Sequence, residues 1–258
     1  MVKSIKTAVL GASGYTGADA VRLGLRHPNV ELVALTANTH AGKQIRAVFE
    51  HFSGFELPDL VEIDALDWSE IDAVICALPH GTTQSTTKAI RAANPDCRVI
   101  DMSADFRLRD TGVYADWYGL DHAAPELQSD AVYGLTEHYR AEIASASIVA
   151  CPGCFPTAAL TALIPPMAEG LIETNDIIID AKTGISGAGR GLKQGMLFSE
   201  AGEGCSPYGV GHHRHMPEIE QELSKAAGEE VRIGFTPHLV PMARGELLTC
   251  HVRLQGAS

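Results

Sequence analysis

Residues 1–150 predict an α/β fold built on a doubly wound, Rossmann-type parallel sheet, and residues 151–258 predict a second α+β domain with a mixed sheet. Three observations lead there. Short apolar runs alternate with longer amphipathic stretches through the first half of the chain, and parallel strands need such crossover connections. A glycine-rich turn follows the first run directly, as at the first strand–helix turn of such folds. After Cys151 the alternation gives way to a proline-bracketed helix, a glycine-rich loop and two late apolar runs.

Buried strands are expected at Lys6–Leu10, Glu31–Thr36, Ile71–Ala77, Cys97–Asp101, Ser147–Cys151 and Asp176–Ala181, each a short apolar run. Helices fall on the amphipathic stretches Thr16–Arg26 and Gln84–Ala93. In the second half, a helix runs from Pro156 to about Ile164 and is followed by the loop T-G-I-S-G-A-G-R-G. A histidine-rich turn begins near Gly211 and leads into a proline-started amphipathic helix. Val231–Phe235 and Leu247–Leu254 read as strands of a second sheet. The domain boundary falls near residue 150, and the sequence contains no internal repeat, low-complexity tract or flexible linker.

At 258 residues and 45% hydrophobic content, the chain can bury a core without disulfide or metal staples. Acidic residues number 32 against 20 Lys plus Arg, a formal net charge of -12. That balance excludes a general nucleic-acid or anionic-membrane binder, which needs a basic face. An anionic small substrate would have to be met by a few local positive groups. No run approaches the roughly 20 apolar residues of a membrane span. The opening M-V-K-S-I-K-T-A-V-L-G lacks the apolar core, roughly 7–15 residues, of a secretory signal. Six cysteines are too sparse for a disulfide scaffold, so a cytoplasmic location is expected.

Lys6–Leu10 leads into G-A-S-G-Y-T-G. Gly11 permits a tight turn, Gly14 lets backbone approach a pyrophosphate, and Gly17 allows close helix–sheet packing with the helix N-terminus facing the anion. Ser13, Tyr15 and Thr16 belong to the same cradle. The spacing is G-x-x-G-x-x-G rather than G-x-G-x-x-G, but its place between strand and helix marks a dinucleotide site. An NAD-type site puts a carboxylate against the ribose about 20 residues on. Here no acid lies between Glu31 and Glu50, whereas Thr36, Asn38, His40 and Lys43 can bond a 2′-phosphate. NADP(H) is therefore favoured over NAD. Pro79, in L-P-H-G after a strand, and Gly187, in the later glycine loop, are further candidates for cofactor contact.

The stretch V-A-C-P-G-C-F-P-T-A-A-L carries two cysteines ahead of a helix. A thiol at Cys154 faces unpaired backbone N–H groups and the positive dipole end, which favour thiolate. Three readings compete: a thioredoxin-like redox pair, half of a zinc site completed by Cys205 and the histidines, and a nucleophile at Cys154 with Cys151 as a buried strand-end residue. The third is preferred, because a structural zinc site normally shows a second close ligand pair and a redox C-x-x-C belongs to a different arrangement. No metal is expected.

G-H-H-R-H-M-P-E gathers His212, His213 and His215 with Arg214. A histidine near neutrality can move a proton on or off a reacting oxygen. His213 and His215 stand on similar footing; His215 is placed first because Met216–Pro217 fixes its position. D-M-S-A-D-F-R-L-R follows a strand at the end of the sheet where ligands bind. Within it Ser103 and Arg107 are candidate substrate groups, with Arg109 beside them and Arg190 in the glycine loop, arginine being suited to bidentate anion contact.

The motifs G-A-S-G-Y-T-G, A-G-K, D-M-S-A-D-F-R, Y-G-L-T-E, P-G-C-F-P-T-A, G-I-S-G-A-G-R, H-R-H-M-P-E-I and F-T-P-H-L-V-P stand in unbroken order from about residue 6 to 254. In this the chain resembles the N-acetyl-γ-glutamyl-phosphate reductases; G-A-S-G-Y-T-G alone would also fit the related aspartate-semialdehyde dehydrogenases. The resemblance implies NADPH-dependent reduction of N-acetylglutamyl 5-phosphate to the semialdehyde, with release of phosphate, in arginine biosynthesis. It implies that Cys154 is the nucleophile, that His215 is an acid/base with His213 beside it, that Gly11, Gly14 and Gly17 hold the dinucleotide, and that Arg107 binds an anion. Family members continue by several dozen residues beyond the strand at Leu247–Leu254 and return to the nucleotide domain. This sequence stops at Q-G-A-S, so the expectation is either a truncated product or a cofactor site that lacks one wall. A homo-oligomer, dimer or tetramer, is expected.

Overall fold

The computed structural model describes residues 4–256. These fall into two compact units that divide between Cys151 and Pro152. The first contains, in order, β1 (Ile5–Leu10), α1 (Tyr15–Gly24), β2 (Val30–Thr36), β3 (Leu60–Val61), β4 (Ala73–Cys76), α2 (Thr83–Ala93), β5 (Arg98–Asp101), α3 (Thr111–Tyr118), β6 (Ala131–Tyr133), α4 (Thr136–Ser145) and β7 (Ile148–Ala150). Its seven strands form one sheet in the order β3-β2-β1-β4-β5-β7-β6, and every pairing is parallel.

Alternation along the strands builds two apolar layers, one on each face of this sheet. Ala8 and Leu10 of β1 join Val74, Cys76, Val99 and Ile148 on one side. Val9, between them, joins Leu35, Leu60, Val21 and Phe52 on the other. Strand order reverses between β1 and β4, and in doubly wound sheets the crevice outside the strand carboxyl ends at such a point takes the ligand.

Observed strands match the expected runs within a few residues. The sequence reading did not include β3, β6, α3 or α4. Strands of two or three residues carry no readable period. α3 is set by its ends instead: the Asp110 carboxylate accepts from the N–H groups of Gly112 (2.7 Å) and Val113 (3.3 Å), and Gly119 closes it at φ 69°.

The second unit contains α5 (Cys154–Ala168), β8 (Ile177–Thr183), α6 (Phe198–Ala201), β9 (Ser206–Pro207), α7 (Met216–Ala227), β10 (Ile233–Leu239) and β11 (Glu246–His251). The strand order is β11-β8-β10-β9. β10 runs parallel to β8 and the other two pairings are antiparallel, so the sheet is mixed. α5 continues through Pro165 and Pro166, past its expected stop near Ile164. Two backbone bonds are lost there, but Leu160, Leu163, Ile164 and Met167 are all buried and keep the last turn in register. On β8, Ile177, Ile179, Ala181 and Thr183 point inward, while Ile178 stands 54% exposed on the open face. Among the described residues no helix is long and apolar enough to cross a membrane.

Candidate active site

The glycine turn is shaped by two contacts within the protein and left open at a third. Gly11 sits at φ +76°, and a Cβ there would lie 2.4 Å from the Ala77 carbonyl oxygen beyond β4. A Cβ on Gly17 would lie 2.2 Å from the Gly11 carbonyl oxygen. At Gly14 the nearest atom would be 3.5 Å away, so nothing in the fold itself requires glycine there. Gly14 caps α1 without a side-chain bond, and no acid lies in the first turn. The N–H groups that open α1 are therefore available to an anion, which is what a pyrophosphate needs. A dinucleotide fits this cradle.

Around it, Thr16, Asn38, Lys43 and Pro79 are exposed, and Ser13 and Tyr15 are half-buried. The Tyr15 ring leans on Phe49, centroids 6.5 Å apart. Thr36 has a different place from the one expected. It is buried at the end of β2, and its hydroxyl accepts the Gly11 N–H at 3.1 Å, so it holds the turn rather than reaching toward a phosphate.

D-M-S-A-D-F-R is likewise wired inward. Ser103 is buried; its hydroxyl donates to Asp101 Oδ2 at 2.9 Å and accepts the Asp105 N–H at 3.1 Å. Burial pushes the Asp101 carboxyl up to about 6, against the two bonds from Ser103. The Asp105 carboxylate takes the N–H groups of Gly81 (2.7 Å) and Thr83 (2.9 Å) and the Tyr114 hydroxyl (3.0 Å). It thereby caps α2 from a distant loop. Arg107, expected as an anion clamp, is only 6% exposed. Its Nε donates to the Cys151 carbonyl at 2.7 Å and its Nη2 to the Met102 carbonyl at 3.1 Å, which makes it a strut under the loop. The other two candidate arginines, Arg109 and Arg190, are both exposed. Gly187 is exposed on the turn Ile185–Ala188 that follows β8.

The two cysteines of P-G-C differ in kind. Cys151 ends β7, and burial together with the Asp101 charge pushes its thiol up to about 11. Cys154 is exposed as the first residue of α5. A redox pair needs a reactive leading thiol, and Cys151 is the opposite. Among the described residues none of the six cysteines forms a disulfide, and no three His, Cys, Asp or Glu side chains gather as a metal site.

Within the second unit the histidine turn stands beside α5. Phe155 lies 5.6 Å from His213 and 5.8 Å from His215, ring to ring, and the two imidazoles are 4.9 Å apart. His213 also meets Phe235 and Tyr208, at 5.2 and 5.5 Å. Its Nδ1 accepts the His215 N–H at 3.1 Å, which leaves Nε2 to carry the proton of the neutral ring. Burial, helped by the charge on Arg214, pulls His213 down to about 4. The equivalence that the sequence left between the two histidines is thus broken: His213 is a fixed, neutral imidazole.

Three residues at this site had no signal in the sequence pattern. Glu218 is buried, and its Oε1 accepts the Gly153 N–H at 2.8 Å, just ahead of Cys154. Glu246, at the start of β11, is joined to Cys154 by a side-chain hydrogen bond and accepts from the Thr183 hydroxyl at 3.4 Å. The Tyr208 hydroxyl is pushed up to about 12 by burial and by the proximity of Cys154 and Glu246. Glu218 follows M-P at the start of an amphipathic helix, where a solvated acid is the ordinary expectation; only its placement beneath α5 reveals it.

Comparisons with known proteins agree with this architecture. A family model described as the semialdehyde dehydrogenase NAD binding domain matches residues 6–146, and one described as the semialdehyde dehydrogenase dimerisation domain matches residues 154–258. The chain is 54% identical over 255 residues to N-acetyl-gamma-glutamyl-phosphate reductase of Afipia carboxidovorans, covering 98% of this chain and 72% of that protein. To the protein of the same name from Rhodospirillum rubrum it is 56% identical over 255 residues, with the same coverage. A probable chloroplastic N-acetyl-gamma-glutamyl-phosphate reductase of Arabidopsis thaliana is 50% identical over 252 residues, 98% of this chain and 62% of that one. Among solved structures, aspartate semialdehyde dehydrogenase II from Vibrio cholerae superposes with a TM-score of 0.71 at 17% identity, covering 98% of this chain and 76% of that chain. That likeness is one of fold. At about half identity over nearly its whole length, the chain belongs to the N-acetyl-gamma-glutamyl-phosphate reductase family, oxidoreductases of the semialdehyde dehydrogenase type.

Proposed function

We propose that the chain reduces N-acetyl-L-glutamyl 5-phosphate to N-acetyl-L-glutamate 5-semialdehyde, releasing phosphate, with NADPH as reductant and a thioester on Cys154 as intermediate. The observation that carries this reading is an exposed thiol at the first residue of a long helix, beside an H-R-H turn, in a chain about half identical to the named reductases. Such a thiol faces the free N–H groups of the helix start. As the sulfur adds to the acyl carbon, phosphate leaves. A thioester accepts hydride more readily than a carboxylate does and keeps water out of the reaction. The nicotinamide, when bound, supplies that hydride.

This chain's own residues do the rest. The open Gly14 position and the uncapped start of α1 would hold the pyrophosphate. With no acid between Glu31 and Glu50, exposed Asn38 and Lys43 favour a 2′-phosphate and hence NADP(H). We assign the proton taken up by the leaving phosphate to His215, because His213 stays neutral. Arg190, exposed on the loop after β8, suits the anionic substrate better than buried Arg107. The open face of the mixed sheet, with Ile178 and Leu247 exposed, suits a second copy of the chain, in keeping with the description of the matching family model.

The test follows NADPH absorbance after addition of N-acetylglutamyl phosphate, alongside a coenzyme titration. Oxidation matched by phosphate release is the expected result. Coenzyme binding without oxidation would turn the reading toward a cofactor-binding chain, and oxidation with aspartyl phosphate instead would reassign the substrate.

A further inference from the structure

We propose that the surface segment between β2 and β3 carries a second ligand site, which takes a free α-amino acid with an apolar side chain. The segment is built as a closed unit. Its ends are joined by bonds from the Gly42 N–H to the Leu60 carbonyl at 2.7 Å and from the Leu60 N–H to the Lys43 carbonyl at 2.8 Å. Between them lie two short 3-10 turns, Ile45–Ala47 and Glu50–Phe52. Ile45 and Phe52 are buried in the same apolar layer as Val21 of α1, and Phe49 meets the Tyr15 ring that opens α1. Compact surface loops of this kind, with ends that meet and side chains packed beneath them, are frequently functional.

A cavity of about 260 Å³ opens on this segment. Ile45 and Phe52 give it a buried apolar floor, and Phe55 stands beside them 52% exposed. Gln44, Arg46 and Glu56, all exposed, bring a carboxamide and two opposite charges to the same space. Neither charged side chain has a hydrogen-bond or ion-pair partner among the described residues, and the two do not pair with each other. Opposite charges held apart over an apolar floor match a ligand that carries both signs on an apolar body.

An α-amino acid is such a molecule. Its carboxylate suits the forked donors of Arg46, its ammonium suits Glu56, and the Gln44 carboxamide can bond either. Its side chain covers the exposed Phe55 ring and the floor, which removes apolar surface from water. A simple anion would meet repulsion from Glu56, and a simple cation would meet it from Arg46. Volume sets the size: the cavity lies just below the roughly 300–1,000 Å³ of sites for drug-sized ligands. A molecule the size of leucine or phenylalanine fits, and a whole dinucleotide does not. The glycine cradle, Asn38 and Lys43 do not line the cavity, so it is separate from the coenzyme site. The proposal goes beyond the reductase reading and does not depend on it.

The test uses the full chain and saturation-transfer NMR, which observes the signals of the small molecule. Transfer to L-leucine and to L-phenylalanine is expected. N-acetyl-L-leucine lacks the ammonium and L-leucinamide lacks the carboxylate; each should bind about 10-fold more weakly or worse, as should L-leucine to R46M and to E56Q. Both substitutions are at exposed positions and should leave the melting temperature and the NADPH titration as they are in the unaltered protein. Saturating NADPH should leave the leucine signal in place. Absence of transfer to L-leucine, equal binding of the acetylated or amidated form, or undiminished binding by R46M and E56Q would overturn the proposal. Displacement of leucine by NADPH would also overturn it, by giving the cavity to the coenzyme. Every readout is one of binding, so a failure of the reductase reading would leave these results standing.

Discussion

The Glu218 carboxylate accepts the Gly153 N–H at 2.8 Å, tying the first turn of α7 to the residue that caps α5. A single buried acid thus couples the histidine turn to the start of the Cys154 helix within the second unit. Removing it in Glu218→Ala leaves a buried N–H without an acceptor, a loss of roughly 2–3 kcal/mol. Glu218→Gln keeps an acceptor oxygen in place and should recover most of that. Denaturant unfolding of the two variants checks the difference; equal losses would show that the bond carries little.

Cys154→Ser should abolish turnover and leave the NADPH titration unchanged. Serine at this position lacks a comparably accessible anion, and the residue is remote in sequence from the glycine turn. Turnover in the serine variant would remove the thioester from the mechanism.

His213 and His215 should separate experimentally. His215→Asn is expected to lower kcat by about 10²–10⁴-fold, the usual range for a general acid–base residue. His213 should instead mark stability. Folded, it stays neutral down to about 4, whereas the unfolded chain protonates it near 6.5. Between those values the unfolded state binds more protons, so stability rises with pH and is lost as pH falls toward 4. Unfolding curves of His213→Asn across pH 4 to 7 should therefore show a flatter dependence than those of the parent protein; an equal slope would place the titration on another group.

Gly14→Ala and Gly17→Ala should fail in different ways. A methyl group at Gly17 would collide with the Gly11 carbonyl, 2.2 Å away, whereas at Gly14 the nearest atom is 3.5 Å off. Gly17→Ala should therefore destabilise the fold and weaken coenzyme binding together. Gly14→Ala should melt like the parent protein and still bind NADPH at least several-fold less tightly. A normal affinity in Gly14→Ala would mean that the pyrophosphate does not approach this backbone.

Asp105→Ala removes three bonds at once, those from Gly81, Thr83 and Tyr114. Disruption of such a buried network should cost on the order of 3 kcal/mol, read as a lowered midpoint in urea. A surface-like loss of a few tenths would show that water replaces the carboxylate.

Alternation and turn chemistry made the sheet of the first unit readable, because Ala8, Val9 and Leu10 each face a different layer from their neighbours. The same local logic exposed the glycine cradle and Cys154. It could not separate a residue that bonds a ligand from one that bonds the loop beside it. Thr36, Ser103 and Arg107 have the right chemistry at the right strand ends, yet each is buried and spends its polar atoms on neighbouring backbone or side chains. Glu218 and Glu246 failed to show for the converse reason. Their partners, Gly153 and Cys154, lie far away along the chain, and only helix packing and strand register bring them near.

The pairing of Glu246 with Thr183 has a kinetic side. β8 reaches its edge partner only after the loop, α7 and β10 between them in sequence have been made, and contacts of such long sequence separation form late. During synthesis Cys154 therefore emerges well before β11, and the mixed sheet of this unit is completed only when the last of its strands has been made.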